Sequence, residues 1–292
     1  MGVSPIVKWA GGKRQLLQYL MNLLPSKFNR YYEPFLGGAA LLTELHNKGL
    51  LSEGLLIKAI VSDTNKDLIN LYKLVKEDLE SLAREIERLH PKNTAEFYYQ
   101  ARVEFNNTPS YTARKGALFL YLNRYGFNGV WRVNSKEEFN VPFGSHFNPN
   151  MQPISKIIAF SNMLKEVKIL DKSYEVATRS VKKGDFVYFD PPYLPLPRSN
   201  GFTNYTSQGF TPDDQYKLSE NYKKLDSNGV YVMLSNSDVP RIREFYHGFN
   251  FHFLTVNRMV NSDKGKRRGF REVIITNYKT RSTLDPFVQE PI

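Results

Sequence analysis

Six short apolar runs rich in β-formers lie at Leu56–Val61, Val167–Leu170, Asp185–Phe189, Val230–Leu234, Phe249–Val256 and Glu272–Tyr278. Helix-period patterns separate several of them. One is Arg14–Leu24; another is Asp213–Leu225, opened by Thr211 with Pro212 at the first helical position. Strands alternating with helices predict an α/β fold with a largely parallel, wound sheet. Residues 67–150 break that rhythm. Leu68, Leu71, Val75, Leu79, Leu82, Ile86 and Leu89 recur at helical spacing, and helix-like stretches follow at Ala95–Phe105 and Ala113–Arg124. Successive helices have no place inside a β-α alternation. The segment therefore reads as an inserted helical domain, ending in a hairpin that pairs Val130–Val133 with Glu138–Val141 across Asn134 to Glu137. Residues 1–66 and 151–292 form the domain that it interrupts.

A chain of 292 residues is long enough for this architecture, and 41% hydrophobic with 24% charged residues excludes a disordered polymer and a membrane bundle. No apolar run reaches bilayer length, so a soluble globular protein is expected. The absence of cysteine excludes disulfides, thiolate–zinc sites and any cysteine nucleophile. The amino-terminal residues lack the apolar core of a secretion signal, and Ile6 stands where a myristoylation signal has Ser or Thr, so a cytoplasmic location is expected. A net charge of +11 fits capture of a polyanion such as nucleic acid. The densest basic cluster, Asn261–Arg271, reads either as a phosphate-contacting loop or as a solvated turn.

Asp190-Pro191-Pro192-Tyr193 follows the apolar strand Phe186–Phe189 directly. In an α/β sheet the loop at a strand's carboxyl end is where ligands bind. Two prolines stiffen the loop and remove two N–H donors, leaving carbonyl acceptors beside a carboxylate and an aromatic ring. Such a loop suits an amino group on a ring, as on a nucleobase; it also fits a plain Asp-Pro-Pro turn with Tyr193 packed inward. Glu33 to Leu42 follows a strand-like Tyr31-Tyr32 and opens a helix, and its small residues allow a nucleoside cofactor to approach the backbone. Asp63 ends the next strand, where a carboxylate either accepts from ribose hydroxyls or caps the following helix.

Lys8-Trp-Ala-Gly-Gly-Lys13, Glu33-Pro-Phe-Leu-Gly-Gly38, Asp63-Thr-Asn-Lys-Asp67, Asn123-Arg-Tyr-Gly-Phe-Asn-Gly129, Phe139-Asn-Val-Pro-Phe-Gly144, Asp190-Pro-Pro-Tyr193 and Ser235-Asn236 occur in this order. Together they resemble the Dam/DpnM-type DNA N6-adenine methyltransferases that act on GATC, over about Ile6 to Tyr278. Cofactor motif, insertion and Asp-Pro-Pro-Tyr in that succession is the order of the family's α group. The resemblance implies a Rossmann-like S-adenosylmethionine-dependent methyltransferase fold whose insertion, residues 67–150, recognises the target.

It further implies that S-adenosylmethionine is held by Trp9, Lys13, Phe35, Gly37, Asp63, Asp171 and Asp190, and leaves as S-adenosylhomocysteine. Asp171 follows Val167–Leu170 as the family's acidic residue does; an ordinary strand-end turn reads equally well there. Asp190, Pro191, Pro192 and Tyr193 would be catalytic. On double-stranded DNA, Phe127 and Asn128 would wedge into the stack, Arg132 and Lys8 would contact the outer guanines, and Val130 and Pro142 would meet a thymine methyl. Alone, Phe127 and Val130 read as core and Arg132 as a surface charge. No metal, membrane or obligatory protein partner is implied, and neither His146 nor His252 has a companion at metal-ligand spacing. Ala39 departs from the family, standing where its later glycine lies; a methyl there would crowd the methionine moiety if φ must be positive. Methylation at cytosine C5 is excluded by the missing cysteine. N4-cytosine methylation, an RNA base methyltransferase and a catalytically idle DNA-binding protein are the rival readings.

Overall fold

The computed structural model of the protein describes residues 2–9, 16–51, 54, 56–89, 92–144, 151–194, 210–256 and 270–280. Its elements run α1 (Leu17–Asn22), β1 (Tyr31–Glu33), α2 (Ala40–Asn47), β2 (Ala59–Ser62), α3 (Lys66–Glu77), α4 (Leu79–Leu89), α5 (Ala95–Asn107) and α6 (Ala113–Tyr125). There follow α7 (Ile154–Leu164), β3 (Val167–Leu170), α8 (Tyr174–Ala177), β4 (Phe186–Phe189), α9 (Pro212–Ser227), β5 (Tyr231–Ser237), α10 (Pro240–Phe245), β6 (Asn250–Val256) and β7 (Phe270–Thr276). Among the described residues the strands form a seven-stranded sheet in the order β3-β2-β1-β4-β5-β7-β6, a Rossmann-like α/β fold. Pairing along β1, β4 and β5 is parallel, as is that of β2 with β3, while β7 runs antiparallel to both β5 and β6. An antiparallel neighbour needs no crossover helix, so the carboxyl-terminal strands depart from the parallel pattern expected of the rest.

The chain divides into two compact units. The first comprises Met1–Arg14, Leu36–Leu51 and Leu55–Ser173. Its middle is α6, on which Ala117 to Leu122 are all buried. Gly116 is required there, because a Cβ would stand 2.8 Å from Leu74 Cδ1 and 3.1 Å from Leu82 Cδ1. Lys115, also buried, donates from Nζ to the Phe105 and Thr108 carbonyls at 3.1 Å each, satisfying the carboxyl end of α5. The run from Leu68 to Leu89 is two helices rather than one. Asp78 leaves helical geometry at φ −143° and ψ 54°, and its carboxylate accepts from the Ser81 N–H at 3.3 Å, opening α4.

The expected hairpin at 130–141 turns back on itself without regular strands. Val133 faces Phe139 and Gly126 faces Phe143 in isolated antiparallel bridges. The Asn134 side chain accepts from the N–H groups of Lys136 and Glu138 at 2.9 and 3.0 Å, and Glu137 takes a positive φ of 62°. A side chain that captures these donors competes with a strand ladder, which explains the irregular form.

The second unit comprises Gln15–Phe35, Ser52–Gly54 and Tyr174–Ile292. β4 is buried throughout its length, and β5 from Val232 onward, as strands inside a covered sheet should be. The helix signal at Thr211-Pro212 holds. Thr211 caps α9 by accepting from the Asp214 N–H, and the Asp214 carboxylate accepts from the Thr211 N–H in return.

Candidate active site

In the second unit the parallel strands β1, β4 and β5 present their carboxyl ends at one edge, where α/β sheets bind ligands. Asp190 to Tyr193 leave β4 there. The antiparallel β7 begins at the same edge, with Glu272 paired to Ser237 at the end of β5. The half-buried Tyr193 therefore donates its hydroxyl to Glu272 Oε2 at 3.0 Å. Burial, then the carboxylates of Asp190 and Glu272, hold the phenol pKa well above its ordinary value, so the ring stays neutral.

Buried polar side chains brace the loop. Gln215 Nε2 donates to the Pro192 carbonyl at 2.8 Å, and Gln215 Oε1 accepts from Asn236 Nδ2 at 3.1 Å. Asn236 Oδ1 accepts from the Leu194 N–H at 3.2 Å, and Ser237 Oγ donates to the Leu194 carbonyl at 2.6 Å. Gln215 and Asn236 are wholly buried, so these bonds are not exchanged with water. Pro191 is buried and Pro192 exposed. The loop thus offers a carboxylate, proline carbonyls and a neutral aromatic ring on a rigid base, a set that accepts N–H groups and stacks a planar ring. Beside β1, the Phe35 ring stacks on Tyr174 at 5.6 Å and meets Phe210 edge-on at 5.7 Å.

The glycine loop belongs to the first unit. Gly37 takes a positive φ of 47°, and a Cβ there would lie 2.7 Å from Trp9 Cδ1, so only glycine lets the indole lie against this backbone. Both polar groups of Gly37 are engaged: its N–H donates to Asp63 Oδ2 at 2.9 Å, and its carbonyl accepts from the Tyr72 hydroxyl at 2.8 Å. Asp63 Oδ1 accepts from the Asn65 N–H at 2.9 Å. Burial raises the Asp63 pKa, opposed by these backbone donors. The helix cap beside it is Asn65, which accepts from Leu68 N–H, so Asp63 is not the cap of α3. Ala39 adopts a left-handed φ of 59° but is 0% exposed. The conformation favours glycine, yet the methyl is enclosed by protein rather than directed into open space. The Asp171 carboxylate accepts from the Tyr111 hydroxyl at 2.9 Å, and Tyr111 itself has a positive φ of 63°.

The same unit carries the candidate DNA-contacting residues. Buried Asn123 accepts from the Lys8 N–H at 2.8 Å and donates to the Lys8 carbonyl at 2.7 Å and the Gly129 carbonyl at 3.3 Å. One side chain thereby ties exposed Lys8 to the loop that bears Phe127 and Asn128. The Lys8 stem fills the space a Cβ on Gly129 would need, at 2.6 Å. Phe127 is 53% exposed, which removes it from the core, and its N–H donates to the carbonyl of exposed Pro142 at 2.9 Å. Asn128 takes a positive φ of 54° at the tip. Val130 is half-buried. Arg132 is exposed, its Nε donating to Asn140 Oδ1 at 2.8 Å, which fixes the guanidinium.

Lys13, His146 and residues 261–269 of the basic cluster lie outside the described residues. Gln215 and Glu272 carry no motif of their own that marks them as supports of the site. Asn123 opens the quoted Asn-Arg-Tyr-Gly-Phe-Asn-Gly run, and the polar Ser-Asn-Ser ending an otherwise apolar β5 signalled a buried network. Among the described residues no His, Cys, Asp and Glu cluster could hold a metal, and no helix is long and apolar enough to cross a membrane.

Residues 9–261 match the family described as D12 class N6 adenine-specific DNA methyltransferase. The chain is 38% identical to the Type II methyltransferase M1.LlaDCHI of Lactococcus lactis subsp. cremoris, over 95% of this chain and 96% of that one. It is 40% identical to the Type II methyltransferase M.MjaIII of Methanocaldococcus jannaschii, over 95% and 100%. It is 35% identical to the DNA adenine methylase of Escherichia coli K12, over 92% and 93%. The chain belongs to the D12 class of N6 adenine-specific DNA methyltransferases.

Proposed function

We propose that this enzyme transfers a methyl group from S-adenosylmethionine to N6 of an adenine extruded from double-stranded DNA, within GATC. The observation that carries the reading is the Asp190–Tyr193 loop, braced by Gln215, Asn236 and Ser237 at the ligand-binding edge of the sheet. Adenine N6 is a weak nucleophile because its lone pair is delocalised into the ring. Asp190 and the Pro191 carbonyl accept hydrogen bonds from the two N6–H groups, draw the lone pair out of conjugation and stabilise positive charge as it grows on nitrogen; as the N6–methyl bond forms the sulfur–methyl bond breaks, S-adenosylhomocysteine leaves, and the methylated nitrogen then loses one proton. Tyr193, kept neutral and pinned by Glu272, stacks on the base. The rigid loop supplies much of the acceleration through positioning.

The residues fit the cofactor. Glycine at 37 lets the Trp9 indole lie against the loop backbone, and Asp63, which accepts from the Gly37, Asn65 and Thr64 backbone, keeps a lone pair for a ribose hydroxyl. By resemblance the set also includes Lys13, Phe35, Asp171 and Asp190. The enclosed methyl of Ala39 is compatible with binding. When bound, S-adenosylmethionine supplies a methyl group already activated at a sulfonium.

A base inside a duplex cannot reach such a loop, and extrusion costs a few kcal/mol. Residues 67–150 act as the target-recognition insertion. Exposed Phe127 and Asn128 fill the gap left by adenine, Arg132 reads guanine O6 and N7, Lys8 contacts the other outer guanine, and Val130 and Pro142 meet a thymine methyl. Transfer of radiolabelled methyl from S-adenosylmethionine to a GATC duplex, a mismatched duplex and ribosomal RNA tests the reading. Label on N6 of the GATC adenine is expected; label on RNA alone, or equal label on both duplexes, would contradict it.

A further inference from the structure

The chain has two tryptophans, Trp9 and Trp131, and both lie in one ring stack. Trp9 covers the glycine loop, where a Cβ on Gly37 or Gly38 would come within 2.7 or 3.1 Å of it. The same indole runs near-parallel to Phe119, at 6.5 Å and 13°, and to Trp131, at 6.4 Å and 20°. Phe119 and Trp131 stack face to face at 3.9 Å and 22°. Behind Trp131 stand Phe105 at 5.5 Å and Phe139 at 4.5 Å, closing the layer. Trp131 immediately precedes Arg132, whose guanidinium is held by Asn140, the neighbour of Phe139 in sequence.

Trp131 Nε1 is buried and has no hydrogen-bond partner among the described residues. The indole is therefore held by its ring contacts rather than by a polar anchor, and it can shift without breaking a hydrogen bond. Packed interiors do not deform continuously, so displacing one ring of such a stack repositions the next. Anything that settles against Gly37 is felt by Trp9, and through the stack by the residue that carries Arg132.

We propose that Trp131 is a positioning residue that couples occupancy of the glycine loop to the reading of DNA by Arg132. The inference rests on the function proposed above and adds to it a path between cofactor and target. By linkage the coupling is reciprocal: the cofactor tightens duplex binding by the factor by which the duplex tightens cofactor binding.

The test measures duplex affinity with and without saturating S-adenosylhomocysteine, which binds without reacting, for the wild type, Trp131→Phe and Trp131→Leu. The wild type is expected to gain at least about fivefold in affinity for a GATC duplex when S-adenosylhomocysteine is present. Trp131→Phe keeps a ring in the stack and should keep the gain. Trp131→Leu should lose it, to less than about twofold, with its cofactor-free duplex affinity and its S-adenosylhomocysteine affinity near wild type. A merely structural role would instead weaken duplex binding equally with and without S-adenosylhomocysteine, and that result overturns the proposal, as does a full gain in Trp131→Leu. The wild-type measurement stands without any variant: equal duplex affinity in both conditions overturns the coupling even if the leucine variant fails to fold. A wild type that binds no S-adenosylhomocysteine at all would overturn the proposed function, and this inference with it.

Discussion

Asn123→Ala removes a side chain that fastens Lys8 to the Phe127–Gly129 loop. Two short hydrogen bonds to Lys8, at 2.8 and 2.7 Å, and a longer one to Gly129, at 3.3 Å, are lost together. At about 1 kcal/mol for each good hydrogen bond, the pair to Lys8 is worth about 2 kcal/mol and the third adds a fraction. The Lys8 bonds are part-buried, so water reaches some of its freed backbone groups, and the buried Gly129 carbonyl carries most of the further penalty. The expected loss is about 2–3 kcal/mol. Urea unfolding followed by circular dichroism reads it directly; with a slope of about 1–3 kcal/mol per molar, the midpoint should fall by about 1 M. Affinity for a GATC duplex should fall as well, because Lys8 and the Phe127 tip are no longer held to each other. A midpoint within about 0.2 M of wild type at unchanged slope would show that Asn123 does not fasten this loop.

Arg132→Ala should cost about 1–3 kcal/mol on the cognate duplex and relax discrimination at one guanine, and equal losses on cognate and mismatched duplexes would refute its role as a reader. Gln215→Leu removes the donor to the Pro192 carbonyl and the acceptor of Asn236, so turnover should fall while S-adenosylhomocysteine affinity, by calorimetry, stays near wild type; wild-type turnover would show that the brace is dispensable. Asp63 has its pKa raised by burial, so the folded protein holds that proton to higher pH than the unfolded chain does. Its contribution to stability therefore falls as pH rises from the ordinary value of 3.8 through the raised one. Accepting a ribose hydroxyl while holding the Gly37, Asn65 and Thr64 backbone donors calls for the ionised carboxylate. Hence S-adenosylhomocysteine affinity should weaken on acidification at a pH above that of an ordinary aspartate, and Asp63→Asn should bind weakly with no such acid limb; an unchanged acid limb in that variant would exclude Asp63.

Features set by neighbours in sequence are legible in the sequence itself. The Thr211-Pro212 cap, the apolar runs that became β2 to β7, and the placement of Asp190–Tyr193 at the end of β4 all follow from local propensity and pattern. The exposure of Phe127 and the enclosure of the Ala39 methyl depend on what surrounds them, and residue type alone could not decide either. The break at Asp78 and the irregular 130–141 hairpin were missed because short polar side chains captured backbone donors that periodicity assigns to a helix or a ladder. The supports of the site were the least legible. Asn123 meets Lys8 across 115 residues of sequence, and Tyr193 meets Glu272 across 79. No spacing rule reaches that far; the folding of the sheet and of α6 brings these partners together.

The account turns on Asp190 accepting a hydrogen bond from adenine N6, so single-turnover methyl transfer by Asp190→Ala on a GATC duplex is its most direct test. With duplex binding retained, the rate should fall about a hundredfold or more, as when one preorganised group at a developing charge is removed. Methylation by that variant at the wild-type rate would contradict it.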